Sequence, residues 1–179
     1  MNATRLFVLG ALARGGPMHG HKIRQDAQLD QVELWTDMKP GSLYGALRRM
    51  ATEGVIAVVR TEQEGNLPAR TVYEITESGR REFIEQLHAA LGDARLRPDP
   101  VDLALQHASA VDPATLLDLT RKRRTTLAER LAFMRALRQQ AEPHLTGLEP
   151  VAFDHTLMRL EVEVAWHDRL ITALTEENR

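Results

Sequence analysis

Lys39, Arg48 and Arg49 punctuate a stretch from Lys39 to Met50 that also holds Ser42 and Tyr44 and contains no acid, a local charge of +3. Ammonium and guanidinium groups neutralise phosphates, and hydroxyls and a phenol donate to phosphate oxygens, so this set suits DNA contact. Leu43, Ala46, Leu47 and Met50 recur at helical spacing. The stretch therefore reads as a helix that buries one stripe and turns Ser42, Tyr44, Gly45, Arg48 and Arg49 outwards. A small, basic, hydroxyl-bearing helical face fits a major groove. The same face would equally suit an ordinary solvated helix, so the surrounding elements must decide.

Other chemistry finds less support. His19 and His21 form a His-x-His pair without a cysteine or a neighbouring carboxylate, a poor ligand set for a metal. They read as polar or DNA-contacting side chains, and no metal is expected. The glycine-rich run Gly15 to Gly20 follows a helix rather than a strand, so it is no phosphate cradle. Nucleophile elbow, zinc-protease and dinucleotide signatures are missing. Neither an enzyme nor a cofactor is expected.

Composition narrows the class further. The 179 residues include no cysteine, which removes disulfides, thiolate metal sites and cysteine nucleophiles. Residues 1–91 carry 11 Lys and Arg against 11 Asp and Glu, and residues 92–179 carry 12 against 14. Such a chain is no indiscriminate polyanion binder; nucleic-acid binding would rest on the local patch at 39–49. The apolar run Leu6 to Ala13 is too short to span a membrane. It could pass for a signal-peptide core, with Ala11-Leu12-Ala13 as a mock cleavage site. Gly15-Gly16-Pro17 fits better as a stop between two helices, so a cytoplasmic protein is expected.

The elements that must position the basic face follow in order. Residues 3–13 read as a helix with Leu6, Phe7, Leu9 and Ala13 inside. A second helix, about 18–29, exposes His19, His21, Lys22, Arg24 and Gln25, and the basic helix comes third, closed by Gly54. Residues 55–61 and 70–75 read as strands around a polar loop, 63–69. Thr76 caps a helix over 77–91 with an apolar stripe of Phe83, Ile84, Leu87 and Leu91. Three helices and a hairpin are the order of a winged helix-turn-helix, and the basic face falls on the third, recognition helix. Arg70 and Thr71 belong to the wing, with Arg70 directed at phosphate; His19 and Lys22 complete the expected DNA-facing set.

Gly16-Pro17-Met18-His19-Gly20-His21-Lys22-Ile23, Trp35 through Leu47, Glu53-Gly54-Val55-Ile56 and Pro68 through Gly79 together resemble the PadR family of bacterial transcriptional regulators. The resemblance covers about the first half of the chain. It implies a homodimeric winged-helix repressor of a pseudo-palindromic operator. It also implies backbone contacts from Ser42 and Tyr44, with Lys39 and Arg48 close by. Ser42 stands where threonine is common in the family and keeps the hydroxyl. Thr71 follows Arg70 where a lysine often does, which implies a weaker grip by the wing. Trp35 matches the family pattern just before the recognition helix and is expected in the core.

The second half reads differently. Gly92 to Pro100 is rich in helix breakers, and helices are expected at about 101–108, 113–141 and 151–176, with Pro143 and Gly147 marking the last turn. Phe153, Leu157, Leu160, Val164, His167, Ile171 and Leu174 alternate spacings of four and three, a heptad seam. Met158, Val162, Ala165 and Trp166 widen the apolar face. Two long amphipathic helices with little else to cover them point to a dimerisation region, with Phe153, Leu157, Leu160, Val164, Ile171 and Leu174 at its interface. The alternative is an antiparallel pair within one chain. Some PadR-family members hold flat aromatic effectors between such helices, which makes Trp166 and His167 the candidates for an effector site; the favoured readings are a packed interface aromatic for Trp166 and a hydrogen-bonded interfacial histidine for His167. Arg121 to Arg124 is a cationic run that reads as a solvated face, with anion binding as the alternative.

The expectation is therefore a mainly α fold with a small β-hairpin wing. Residues 1–91 would form a winged helix-turn-helix DNA-binding domain, and 92–179 an α-helical dimerisation and effector domain. The partners would be double-stranded operator DNA, a second copy of the chain and a small molecule, with no membrane. The competing expectation is a winged-helix protein–protein adaptor that binds no DNA, which the charge balance of residues 1–91 favours.

Overall fold

A computed structural model of the chain describes residues 2–63 and 70–177, divided into two compact units, Met1–Leu96 and Arg97–Arg179. The first is built from α1 (Ala3–Gly15), β1 (Met18–His19), α2 (Gly20–Leu29), α3 (Leu43–Thr52), β2 (Ile56–Glu62), β3 (Arg70–Ile75) and α4 (Glu77–Gly92). Asn2 caps α1 by accepting the amide of Arg5 at 3.2 Å, and Thr76 caps α4 by accepting that of Gly79 at 3.1 Å. Each satisfies an amide that the helix itself leaves without a partner. The expected wing loop beyond Gln63 lies outside the described residues.

The core draws on every helix before the wing. Val8, Leu9 and Leu12 of α1, Ile23 of α2 and Leu43, Leu47 and Met50 of α3 close around Val55, Ile56 and Ile75. Leu6, Phe7 and Ala13 are only half-buried, so the inner face of α1 is rotated toward Val8 and Leu12 relative to the expected one. On α4, Phe83 and Leu87 turn inwards but Ile84 and Leu91 are exposed.

Two further differences from the sequence reading have plain causes. The second helix begins at Gly20, because Met18 and His19 are extended and pair antiparallel with Tyr73 and Val72. The wing is thus part of a three-stranded sheet, β1-β3-β2, with a bulge between Val58 and Arg60. Trp35 is not in the core but 53% exposed, its indole N–H donating to the Asp30 carbonyl at 3.1 Å. The chain turns at Gln31 through a left-handed conformation, φ 46°, and Val32 and Met38 fill the space against Ala27 instead.

In the second unit, α5 (Pro100–Gln106) precedes two long helices, α6 (Pro113–Ala141) and α7 (Glu149–Glu177). Asp112 caps α6, accepting the amide of Thr115 at 2.9 Å, with Pro113 in the first helical position. Helices α6 and α7 pack side by side as an antiparallel pair within the chain. Thr120, Leu131 and Met134 of α6 and Leu160 and His167 of α7 are buried in the unit. Pairs of Arg124 with Asp168 (2.8 Å) and Arg135 with Glu161 (2.8 Å) run along its surface. Leu160, expected at a subunit interface, is therefore spent inside the hairpin. Phe153, Leu157, Val164, Ile171 and Leu174 are half-buried.

Candidate nucleic-acid interface

Helix α3 carries the basic face as the spacing predicts. Leu43, Ala46, Leu47 and Met50 are buried, and Gly41, Ser42, Tyr44, Arg48 and Arg49 face outwards, with Lys39 exposed ahead of them. Its C-terminus closes in a Schellman motif: Gly54 sits at φ 74°, Val55 donates to the Met50 carbonyl at 3.1 Å and Gly54 to that of Ala51 at 3.1 Å. A left-handed residue is needed there, and glycine adopts it without steric penalty. Among the described residues, no carboxylate pairs with Lys39, Arg48 or Arg49, so three cations stand ready for an external anion. Ser42 donates its hydroxyl to the Lys39 carbonyl at 2.7 Å, which leaves the oxygen lone pairs outward and fixes the turn into α3.

Two grooves flank this face. One is lined by His19, Gly20, His21, Tyr44, Arg70, Thr71 and Tyr73, so α3 and β3 share it. Gly20 makes that packing possible: a Cβ there would lie 2.9 Å from Leu47 Cδ1 and 3.3 Å from Tyr44 Cε1. The other groove runs along the start of α1 and is lined by Asn2, Thr4, Arg5, Ser42, Ala46, Arg49 and Met50.

The nine expected DNA-facing residues fall into three groups. Lys39, Ser42, Tyr44, Arg48 and Arg49 share the face of α3, and His19, Arg70 and Thr71 gather around Tyr44 in the first groove. Lys22 is exposed on α2 but pairs with Asp26 at 2.5 Å. His19 is not helical as expected. Its Nε2 lies 3.2 Å from Glu62 Oε2, while its Nδ1 is buried without a hydrogen-bond partner among the described residues. Arg60 also pairs with Glu62, and that guanidinium holds the Glu62 carboxyl below the usual range. The sequence reading missed Tyr73, Asn2 and Thr4. Strand periodicity would have found Tyr73, two residues from Thr71 and hence on the same face.

The remaining expected sites lie in the second unit. His167 is fully buried: Nε2 accepts from Arg123 Nε at 2.9 Å, and Nδ1 is 2.7 Å from the Glu163 carbonyl. With both ring nitrogens engaged, it offers an effector no free polar atom. Arg123 also reaches Asp99, which caps α5 by accepting the Val101 amide at 2.9 Å. The guanidinium and that amide hold the Asp99 carboxyl low, the backbone bond being the larger cause. Half-buried Trp166 meets His167 edge-on at 4.7 Å between ring centroids. Of the cationic run, Lys122 pairs with Asp118 at 2.7 Å, and Arg123 and Arg124 reach Asp99 and Asp168.

Comparison with known proteins places this geometry. No curated protein matches the chain in sequence. Residues 8–85 match the model of the transcriptional regulator PadR-like family, a family of regulators rather than enzymes. The fold is that of Bacillus subtilis PadR in complex with operator DNA, with a TM-score of 0.73 and 20% identity over 97% of this chain and 98% of that one. The same protein in complex with p-coumaric acid matches with a TM-score of 0.72 and 19% identity, over 97% and 99%. The Vibrio cholerae virulence activator AphA matches with a TM-score of 0.60 and 17% identity, over 98% and 99%. Residues 8–85 thus match the PadR-like family of transcriptional regulators, and the chain as a whole has the fold of the PadR structures.

Proposed function

We propose that the protein is a homodimeric, sequence-specific DNA-binding regulator, a repressor of a pseudo-palindromic operator that a small molecule releases. The observation that carries this reading is the exposed face of α3, with Lys39, Arg48 and Arg49 free of carboxylates among the described residues and Tyr44 and Ser42 between them. Helix α3 would enter the major groove, with the grooves on either side of it, one walled by Arg70 and Thr71, taking the flanking backbone. The first unit would then be the DNA-binding domain and the second the dimerisation and effector domain. The relative crystallised with operator DNA supports the first role, and the relative crystallised with p-coumaric acid supports control by a small molecule.

Two recognition helices in one dimer match two half-sites related by a twofold axis. A second copy would be held by the outer stripe of α7, where Val151, Met158 and Val162 are exposed at helical spacing. Trp166, half-buried beside His167, is the aromatic surface offered to an effector. By shifting the population of dimer geometries, an effector would change the spacing of the recognition helices and weaken binding. None of the described helices is long and apolar enough to cross a membrane. A cytoplasmic location goes with this reading.

The test is selection of duplexes from a random pool by the full chain, followed by sequencing. One enriched inverted repeat is expected, and Tyr44→Ala and Arg48→Ala should each weaken binding to it by about 5- to 100-fold while leaving the oligomeric state unchanged. Enrichment of no sequence would sink the proposal and favour an adaptor.

A further inference from the structure

Beside α3, where Arg5 lines a groove with Ser42, Ala46 and Arg49, one guanidinium ties three helices together. Arg5 of α1 donates from Nε and Nη2 to Glu82 of α4, the latter bond at 2.6 Å, and from Nη1 to Glu53, the residue that ends α3. Gln86 donates to Glu82 from the next turn of α4 at 2.6 Å. Arg5 and Glu82 are mostly buried, with side-chain exposures of 22% and 23%. Glu53 is otherwise badly placed: a carboxylate at the negative end of a helix dipole is repelled, and Arg5 offsets it. A second set of contacts acts at the same turn. Thr76 and Ser78 donate their hydroxyls to the Gly54 carbonyl at 2.8 and 2.9 Å. Gly79 lies so close that a Cβ would come 2.0 Å from the Val55 carbonyl oxygen.

We propose that Glu82, acting through Arg5, is a positioning residue of the recognition helix: it fixes the orientation of α3 in unit 1 and thereby the discrimination among DNA sequences. The inference rests on the reading of α3 as the DNA-contacting helix. A fork-shaped guanidinium can hold the carboxylate of one helix in a bidentate grip while its third nitrogen reaches another, and an ammonium cannot. The end of α3 is thus referenced to α1 and α4 at once. Recognition of base edges depends on placement to a fraction of an ångström, whereas attraction to phosphates tolerates looseness.

The sign of the predicted effect separates this role from simple electrostatics. Removing an acid from a DNA-binding unit raises its affinity for any duplex. Glu82→Gln should instead lower affinity for the enriched inverted repeat about 10-fold, with affinity for a scrambled duplex of equal length unchanged or slightly raised. Glu82→Asp, which keeps the carboxylate, should recover part of the lost discrimination. In the free proteins, amide hydrogen exchange over residues 49–55 should accelerate in Glu82→Gln. Unchanged or improved discrimination by Glu82→Gln would overturn the proposal, as would unaltered exchange over 49–55. If the wild type itself selects no sequence, the reading of α3 fails, and the exchange comparison still decides whether the hub positions the helix.

Discussion

At the scale of single residues, position rather than type decides what a side chain contributes. Gly79 is required because the Val55 carbonyl occupies the space of a side chain. Gly79→Ala should cost about 1–3 kcal/mol by overpacking, more if the turn cannot shift, and denaturant unfolding monitored by circular dichroism would measure it. The Glu82 carboxyl is held below its ordinary value of 4.5, chiefly by its hydrogen bonds from Arg5 and against the opposing effect of burial. A carboxylate with a depressed folded-state pKa contributes stability that is complete above its unfolded value and lost as pH falls below it. Unfolding free energies measured from pH 6 to pH 3 should therefore fall less steeply below pH about 4.5 in Glu82→Gln than in the wild type. The basic face at 39–49 was legible because it is local: helical spacing sorts Leu43, Leu47 and Met50 from Arg48 and Arg49 without knowledge of the fold. Arg5 was not, since its partners lie 48 and 77 residues away in sequence. Trp35 misled because a match to the family pattern does not fix burial: its indole N–H is satisfied by the Asp30 backbone carbonyl at the surface.

At the scale of elements, the helices of the first unit and the strands β2 and β3 follow from caps, breakers and periodicity. Strand β1 does not. Two residues carry no periodic signal, and Met18 and His19 are extended only because β3 supplies hydrogen-bonding partners. The heptad seam of α7 was equally visible, but its direction was not: a stripe states that something covers it, not which chain supplies the cover. Here α6 covers Leu160 and His167. The Asp99–Arg123–His167 chain then joins the start of α5 to both long helices. His167→Ala would leave Arg123 Nε without its acceptor and open a cavity between α6 and α7. A loss of about 2–4 kcal/mol is expected, seen by calorimetry as a lowered transition for the second unit. A transition at the wild-type temperature would show the network to be dispensable.

At the scale of the whole molecule, binding should combine many weak phosphate contacts with a few that read bases. If the dimer neutralises 6–10 phosphates, about the usual number, affinity should fall by roughly 10³–10⁵ between 50 and 200 mM salt. A flat salt response in a gel-shift titration would contradict the proposed mode. Placing carboxylates on the outer stripe of α7, as Met158→Glu with Val162→Glu, should yield monomers in sedimentation velocity and weaken operator binding about 100-fold through lost bivalence. The pairing of Lys122 with Asp118, Arg123 with Asp99 and Arg124 with Asp168 bears on how such a protein would find its site. Cations already matched to acids in their own unit release few counterions from a random duplex. Dwell times on non-target DNA should then be short. The search would proceed more by dissociation and recapture than by long one-dimensional sliding, and a larger share of molecules would stay free in solution to meet the operator.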